Sequence, residues 1–285
     1  MKLLKIFFKK NNYLISLIFF PFIYLLGWII ISILIYPFPI LNGNKSLYGT
    51  FITFVIFLSF LPNWSKYKWD KNLSQSLGII KLTNKNLLLL LLYEFFKACF
   101  VIFSICLIAI IGGYATFKLN INNSIFFNSI FLGVIVGFAE ELVFRVWLFE
   151  ELNLFFKKKY ANFFQAFIFS IVHIRWDFSF LNNAQLLVGL FLLGLYLNRW
   201  RENKNSSILI PLCFHASIVS LWFLISTSFI KIQTNIPKIL FGPGEGIQIN
   251  PIGGIFGILM IFVLLLSKDF KLKKLIPRKL INLKL

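Results

Sequence analysis

Long apolar stretches without charge alternate with short basic segments along nearly the whole chain. Nothing is charged from residue 11 to residue 44, and a bilayer crossing needs ~20 mostly apolar residues. Runs of this kind predict eight spans, at about 13–36, 47–61, 86–114, 124–149, 161–174, 183–198, 206–226 and 251–267. The first run follows Lys residues, as the core of a signal peptide does. It is too long for one, and no small-residue cleavage site follows, so it reads as an anchor. No internal repeat, low-complexity linker or second domain interrupts the pattern. The expectation is an all-α, polytopic transmembrane helical bundle forming one integral membrane domain, 1–285, in contact with the lipid bilayer.

Composition supports that class and removes others. Apolar residues make up 59% and charged residues 14% of the 285, where a soluble domain has about half and a quarter. A soluble globular fold and a disordered chain are both excluded. The formal net charge of +19 raises a nucleic-acid partner, but the spans turn most of it into topology. With the N-terminus in the cytoplasm, 22 of the 29 Lys and Arg fall in cytoplasmic segments and 5 outside, with Lys97 and Arg145 within spans. That asymmetry predicts both termini in the cytoplasm and no nucleic-acid partner. Cys99, Cys106 and Cys213 all fall in spans, so no disulfide framework is expected. Gly133/Gly137 and Gly253/Gly257 each make a GxxxG, expected to mark close helix packing.

The chemistry must lie in the few polar residues inside the spans, where charge is costly and usually functional. Glu141 and Arg145 are four apart on the fourth span and can pair on one face, continued by Gly133 and Gly137. A buried ion pair fixing helix packing is the plain reading of those two. Glu140 is rotated by ~100° and faces elsewhere. The chain has only two His, and both sit in spans. Glu140 and His173 each lie about 12 residues from the cytoplasmic end of their spans, roughly 18 Å, and His215 about 9, roughly 14 Å. Three spans thus bring a carboxylate and two imidazoles to one level. Such a trio can hold a water, remove its proton and donate to a developing oxyanion. It is also the donor set of a catalytic zinc site with an open position, so a divalent metal such as zinc is a cofactor to test for. Pro211, four residues before His215, is expected to free the Ser207 carbonyl and permit a kink with water entry. Glu94 and Lys97, three apart on the third span, are expected to pair structurally. The Gly242–Pro243–Gly244–Glu245–Gly246 stretch reads as an external turn, not a phosphate cradle. No HExxH and no GxSxG occurs.

These residues resemble the motifs of the CPBP intramembrane proteases, the CAAX-processing or Abi family that includes the Rce1-type prenyl-protein endopeptidases. EExxxR is matched by Glu140-Glu141-Leu142-Val143-Phe144-Arg145, followed by the aromatic-apolar stretch Val146-Trp147-Leu148-Phe149. FxxxH is matched by Phe169 to His173, and the later His by His215. Gly189 and Gly194 resemble the family's penultimate helix pair. The resemblance spans about 124–226, the expected catalytic core. It implies a membrane-embedded endopeptidase in which Glu140 and His173 activate water, Glu141 and Arg145 organise the site, and His215 stabilises the oxyanion. The family is named both as a metalloprotease and as a glutamate-dependent protease, so the resemblance leaves the metal open, with Glu140, His173 and His215 as its ligands. The implied partner is a peptide or protein substrate, prenylated for some members. One position departs: Val219 stands where the family commonly has Asn or Asp, and Ser217 and Ser220 occupy other helical positions.

That departure keeps a second class open, a non-catalytic immunity or scaffolding member of the same family. A third, a proton-coupled transporter, follows from midplane Glu and His but lacks the inverted repeats such folds use. The Phe, Ile, Lys and Asn richness points to an AT-rich genome and so to a bacterial plasma membrane.

Overall fold

The computed structural model describes residues 13–37, 43, 45–78, 84–120, 122–202 and 207–267. The expected basic flanks at 2–10 and 268–284, with Lys81 and Lys204, lie outside the described residues. The chain divides into two compact units, Met1–Ile80 and Lys81–Leu285.

The first unit is a helical hairpin. Helix α1 (Tyr13–Ile35) packs antiparallel on α2 (Lys45–Lys68). The two close where side chains are small: a Cβ at Gly27 would strike the Thr53 hydroxyl and come within 2.8 Å of the Gly49 carbonyl oxygen. Thr53 returns its hydroxyl proton to the Gly49 carbonyl at 3.0 Å. Toward the other end, large rings take over, with Phe19 against Trp64 at 4.4 Å and Phe60 at 5.6 Å between ring centroids. Lys68 is buried, donates to Ser16, and lies over the Trp64 ring. A short helix, α3 (Leu73–Leu77), follows, with a reciprocal cap between Asn72 and Gln75 and a left-handed Gly78 at its end.

The second unit carries the polar residues. Its helices are α4 (Asn84–Ile111), α5 (Asn123–Glu140), α6 (Phe149–Asn153), α7 (Lys158–Ile171), α8 (Phe180–Glu202), α9 (Leu209–Ser228), α10 (Lys238–Phe241) and α11 (Ile255–Leu266). A π-helical segment, Glu141–Leu148, joins α5 to α6. Strands β1 (Ala115–Phe117) and β2 (Ile230–Ile232) pair antiparallel, Thr116 opposite Lys231, and tie the end of α4 to the end of α9. Helix α9 is central, packed on α5 and α4, while α7, α8 and α11 form a second layer. On α5 the buried small residues Ser129, Gly133 and Gly137 recur every four positions and admit α9. A Cβ at Gly133 would collide with the Ser220 hydroxyl and the Ala216 carbonyl, so the close helix packing expected of this GxxxG is present.

Among the described residues, five helices are long and apolar enough to cross a membrane: Ile18–Ile35, Leu47–Lys68, Leu87–Ile111, Phe180–Arg201 and Leu209–Ser228. Helices also stand at the other three expected spans, but α7 has 14 residues and α11 has 12, short of the ~20 that a crossing needs.

Three local expectations change. The second GxxxG is not a helix face: Gly253 precedes α11 in a 3₁₀ turn and packs on Leu186 of α8 and on Pro243. Pro211 does not kink a helix, because α9 begins at Leu209 and Pro211 lies in its first turn, where a missing N–H breaks nothing. The Ser207 carbonyl instead accepts from Ile210 N–H at 3.3 Å. His173 is not inside a helix, since α7 ends at Ile171 and His173 stands in the following turn.

Candidate active site

The five sequence-selected residues converge at the junction of α5 with the π-segment. Glu140 ends α5, and its side chain is 23% exposed. Its two oxygens face different imidazoles: Oε1 is 3.7 Å from His173 Nε2, and Oε2 is 3.6 Å from His215 Nε2. Both distances are too long for direct hydrogen bonds, which leaves room for a third group to bond to the carboxylate and an imidazole together.

Each imidazole is oriented from behind. His173 Nδ1 lies 2.6 Å from the Phe169 carbonyl oxygen, which can only accept, so Nδ1 carries a proton, and in the neutral ring Nε2 presents its lone pair on the side of Glu140. His215 Nδ1 lies 2.8 Å from Glu141 Oε1. With that proton donated to Glu141, Nε2 of His215 becomes a donor only when the ring is protonated. The two carboxylates beside the ring offset that charge.

Glu141 and Arg145 are fully buried, with Arg145 Nη1 3.4 Å from Glu141 Oε1. The guanidinium lies over the Phe169 ring, its central carbon 4.1 Å from the ring centroid. Phe169 thereby links three parts of the site: it supports Arg145, its carbonyl holds His173, and its ring meets His215 edge-on at 6.3 Å. The π-segment itself is not visible in the motif. Widening the turn misaligns backbone carbonyls, and the Arg145 carbonyl is taken by Arg201 Nε of α8 at 3.1 Å. Arg201 also faces Glu150 at 3.9 Å. No apolar-period signal announces Arg201 as part of this support.

Ser220 turns its hydroxyl to Gly133, and Ser217 sits beside Cys213. Just past the site, Arg175 makes two hydrogen bonds to Asp177, at 3.2 and 2.9 Å, and these hold the exposed Asp177 carboxyl below its ordinary range. Glu94 and Lys97 pair as expected, at 2.9 Å, away from Glu140 and with a partner the spacing did not reveal. Tyr196 of α8 donates to Glu94 Oε2 at 2.7 Å and accepts from Lys97 at 2.9 Å.

Among the described residues, no group of three His, Cys, Asp or Glu side chains is arranged to hold a metal ion. Glu140 turns one oxygen to each imidazole instead of sharing one point with both.

Comparison with known families bears on this segment and on the first unit. Residues 4–73 match a family described only as a domain of unknown function, DUF8676. No curated protein and no solved structure matches the chain. Residues 122–221 match the family described as type II CAAX prenyl endopeptidase Rce1-like, which agrees with the resemblance carried by the motifs and implies a peptide hydrolase. With five apolar helices, the chain is an integral multi-pass membrane protein. The matched segment holds Glu140, Glu141, Arg145, His173 and His215, so the chain is similar to the Rce1-like family over the residues that form the site.

Proposed function

We propose that the chain is an intramembrane endopeptidase in which Glu140 and His173 activate a water for attack on a peptide carbonyl. The observation that carries this reading is the contrast between two adjacent glutamates. Glu141 is buried and engaged by Arg145 and His215, whereas Glu140 is partly exposed and faces two imidazole Nε2 atoms across gaps of 3.6 and 3.7 Å. A water entering there donates one proton to Glu140 and the other toward the His173 lone pair. As its oxygen attacks, Glu140 takes the proton, and the carbonyl oxygen gains charge. His215, held by Glu141, donates from protonated Nε2 to that oxygen. Proton return to the departing amine nitrogen from Glu140 or His173 completes the hydrolysis.

Glu141, Arg145 and Phe169 are positioning residues in this scheme. They fix the two rings without touching the reacting atoms. A peptide or protein substrate follows from this reading, and the proposed bacterial-type plasma membrane rests on the Phe, Ile, Lys and Asn richness of the chain. The test is cleavage of a quenched fluorescent peptide set by purified protein. Wild type should cleave, and Glu140→Gln should lose at least ~10²-fold in rate. Full activity in Glu140→Gln would end the proposal.

The non-catalytic alternative rests on Val219, which leaves the site without a side-chain amide or carboxylate at that turn of α9. It predicts that Glu140→Gln and His173→Ala leave the cellular phenotype intact.

A further inference from the structure

The glycine-rich stretch after α10 lies beyond the family match and beyond the motifs assigned to the site. It forms neither a loose turn nor an anion cradle. From Gly242 to Gly254 the chain folds back on itself and sits on α8 as a strap. Asn250 N–H bonds the Pro243 carbonyl at 2.9 Å, and Gln248 N–H bonds the Glu245 carbonyl at 2.9 Å. Gly242, at φ 112°, has the Asn250 carbonyl where a Cβ would be, so another residue fits neither the backbone nor the space. On the α8 side, a Cβ at Gly189 would strike the Ile252 carbonyl. Gln185 Nε2 adds a bond to the Ile239 carbonyl at 3.3 Å. The strap is thus fixed on the helix by backbone contact.

Between the strap and α8 is a cavity of about 210 Å³. His173 forms one wall, Leu186 and Leu190 another, and Pro243, Gln248 and Asn250 the strap side. The cavity adjoins the site, because the imidazole on its wall is the one 3.7 Å from Glu140. Its volume falls below the ~300 Å³ at which small-molecule pockets begin, and suits one apolar side chain better than a lipid chain. Its polar side chains are the His173 imidazole, Arg175, whose guanidinium is engaged by Asp177, and the primary amides of Gln248 and Asn250. Asn250 already accepts from Ile252 N–H through Oδ1, which leaves its NH₂ group to donate, and Gln248 offers both a donor and an acceptor. That is the complement of an extended peptide backbone, which presents one donor and one acceptor per residue.

We propose that this cavity is a substrate subsite: it takes an apolar side chain of the peptide adjacent to the scissile bond, while Gln248 and Asn250 hold that residue's backbone. The inference rests on the endopeptidase reading and names a specificity determinant for it. It assigns selectivity to a segment outside the Rce1-like match.

The experiment uses full-length Glu140→Gln protein in nanodiscs and ten-residue peptides with a central p-benzoylphenylalanine flanked by apolar or by charged residues. Irradiation should label residues 243–250 with the apolar set, as read by mass spectrometry. Leu190→Trp, which fills the cavity, should cut that labelling about tenfold. Gln248→Ala, at an exposed position, should cut it about threefold without changing the melting temperature. Labelling confined to other segments, no labelling, or labelling unaffected in folded Gln248→Ala would overturn the subsite. Parallel cleavage by protein retaining Glu140 separates the two ideas: strap labelling without cleavage supports the subsite and counts against the hydrolase, and cleavage without strap labelling does the reverse.

Discussion

Two clusters of ionisable side chains lie within the second unit, and they are built in opposite ways. Around Glu94 the groups close on one another: Lys97 to Glu94 at 2.9 Å, Tyr196 to Glu94 at 2.7 Å, Lys97 to Tyr196 at 2.9 Å, with the Glu94 side chain fully buried. Around Glu140 they stand apart, at 3.6 and 3.7 Å, with 23% of Glu140 and 31% of the His173 side chain exposed. A closed cluster in low dielectric satisfies its own charge and fastens α4 to α8. An open one has hydrogen-bonding capacity for a group arriving from outside. Charge within apolar helices is therefore not enough to identify a site; spare capacity and access are what separate function from packing.

This contrast can be broken by substitution. Glu140→Gln should lower cleavage by ~10²–10⁴-fold and barely move the melting temperature, because its carboxylate makes no short hydrogen bond to either imidazole. Glu94→Ala should do the opposite. It leaves the half-buried Lys97 without its carboxylate, costs on the order of 3 kcal/mol of stability, and leaves the rate per folded molecule within about twofold. Arg145→Ala combines both effects: it strips the charge partner from buried Glu141, costs a similar ~3–5 kcal/mol, and loosens His215 through Glu141. Tyr196→Phe removes two hydrogen bonds from the closed cluster and should cost about 2 kcal/mol, read by denaturation in detergent, with cleavage unchanged. The smallest expected effect is that of a chelator. Water activation by Glu140 and His173 alone should survive 1,10-phenanthroline within about twofold, and a loss of cleavage restored by zinc would show that these side chains do not suffice.

Sequence and structure agree best where the chemistry requires particular residue types. Glu140, Glu141, Arg145, His173 and His215 are rare polar residues in apolar runs, so their isolation is itself the signal, and the structure brings them together. Helix positions follow the apolar runs for the same reason, since period and length are written residue by residue. The π-segment was not legible, because one extra residue in a turn changes no composition. The apolar run places His173 within a span, whereas α7 ends at Ile171 and His173 stands in the turn that follows, where its Nδ1 reaches the Phe169 carbonyl. Tyr196, Arg201 and the strap were missed because their roles arise from contacts across 50 or more residues: Tyr196 to Glu94, Arg201 to the Arg145 carbonyl, and Gly189 to Ile252. The glycines of the strap were visible as punctuation, but which surface they approach depends on how α8 and α11 pack.

The central claim is that the open carboxylate, and not the closed one, does the chemistry. Its most direct test is the rate of peptide cleavage per folded molecule for Glu140→Gln and Glu94→Gln, measured side by side with wild type. The account predicts loss of at least ~10²-fold in the first and a near-wild-type rate in the second. Equal losses in both, or full activity in Glu140→Gln, would contradict it.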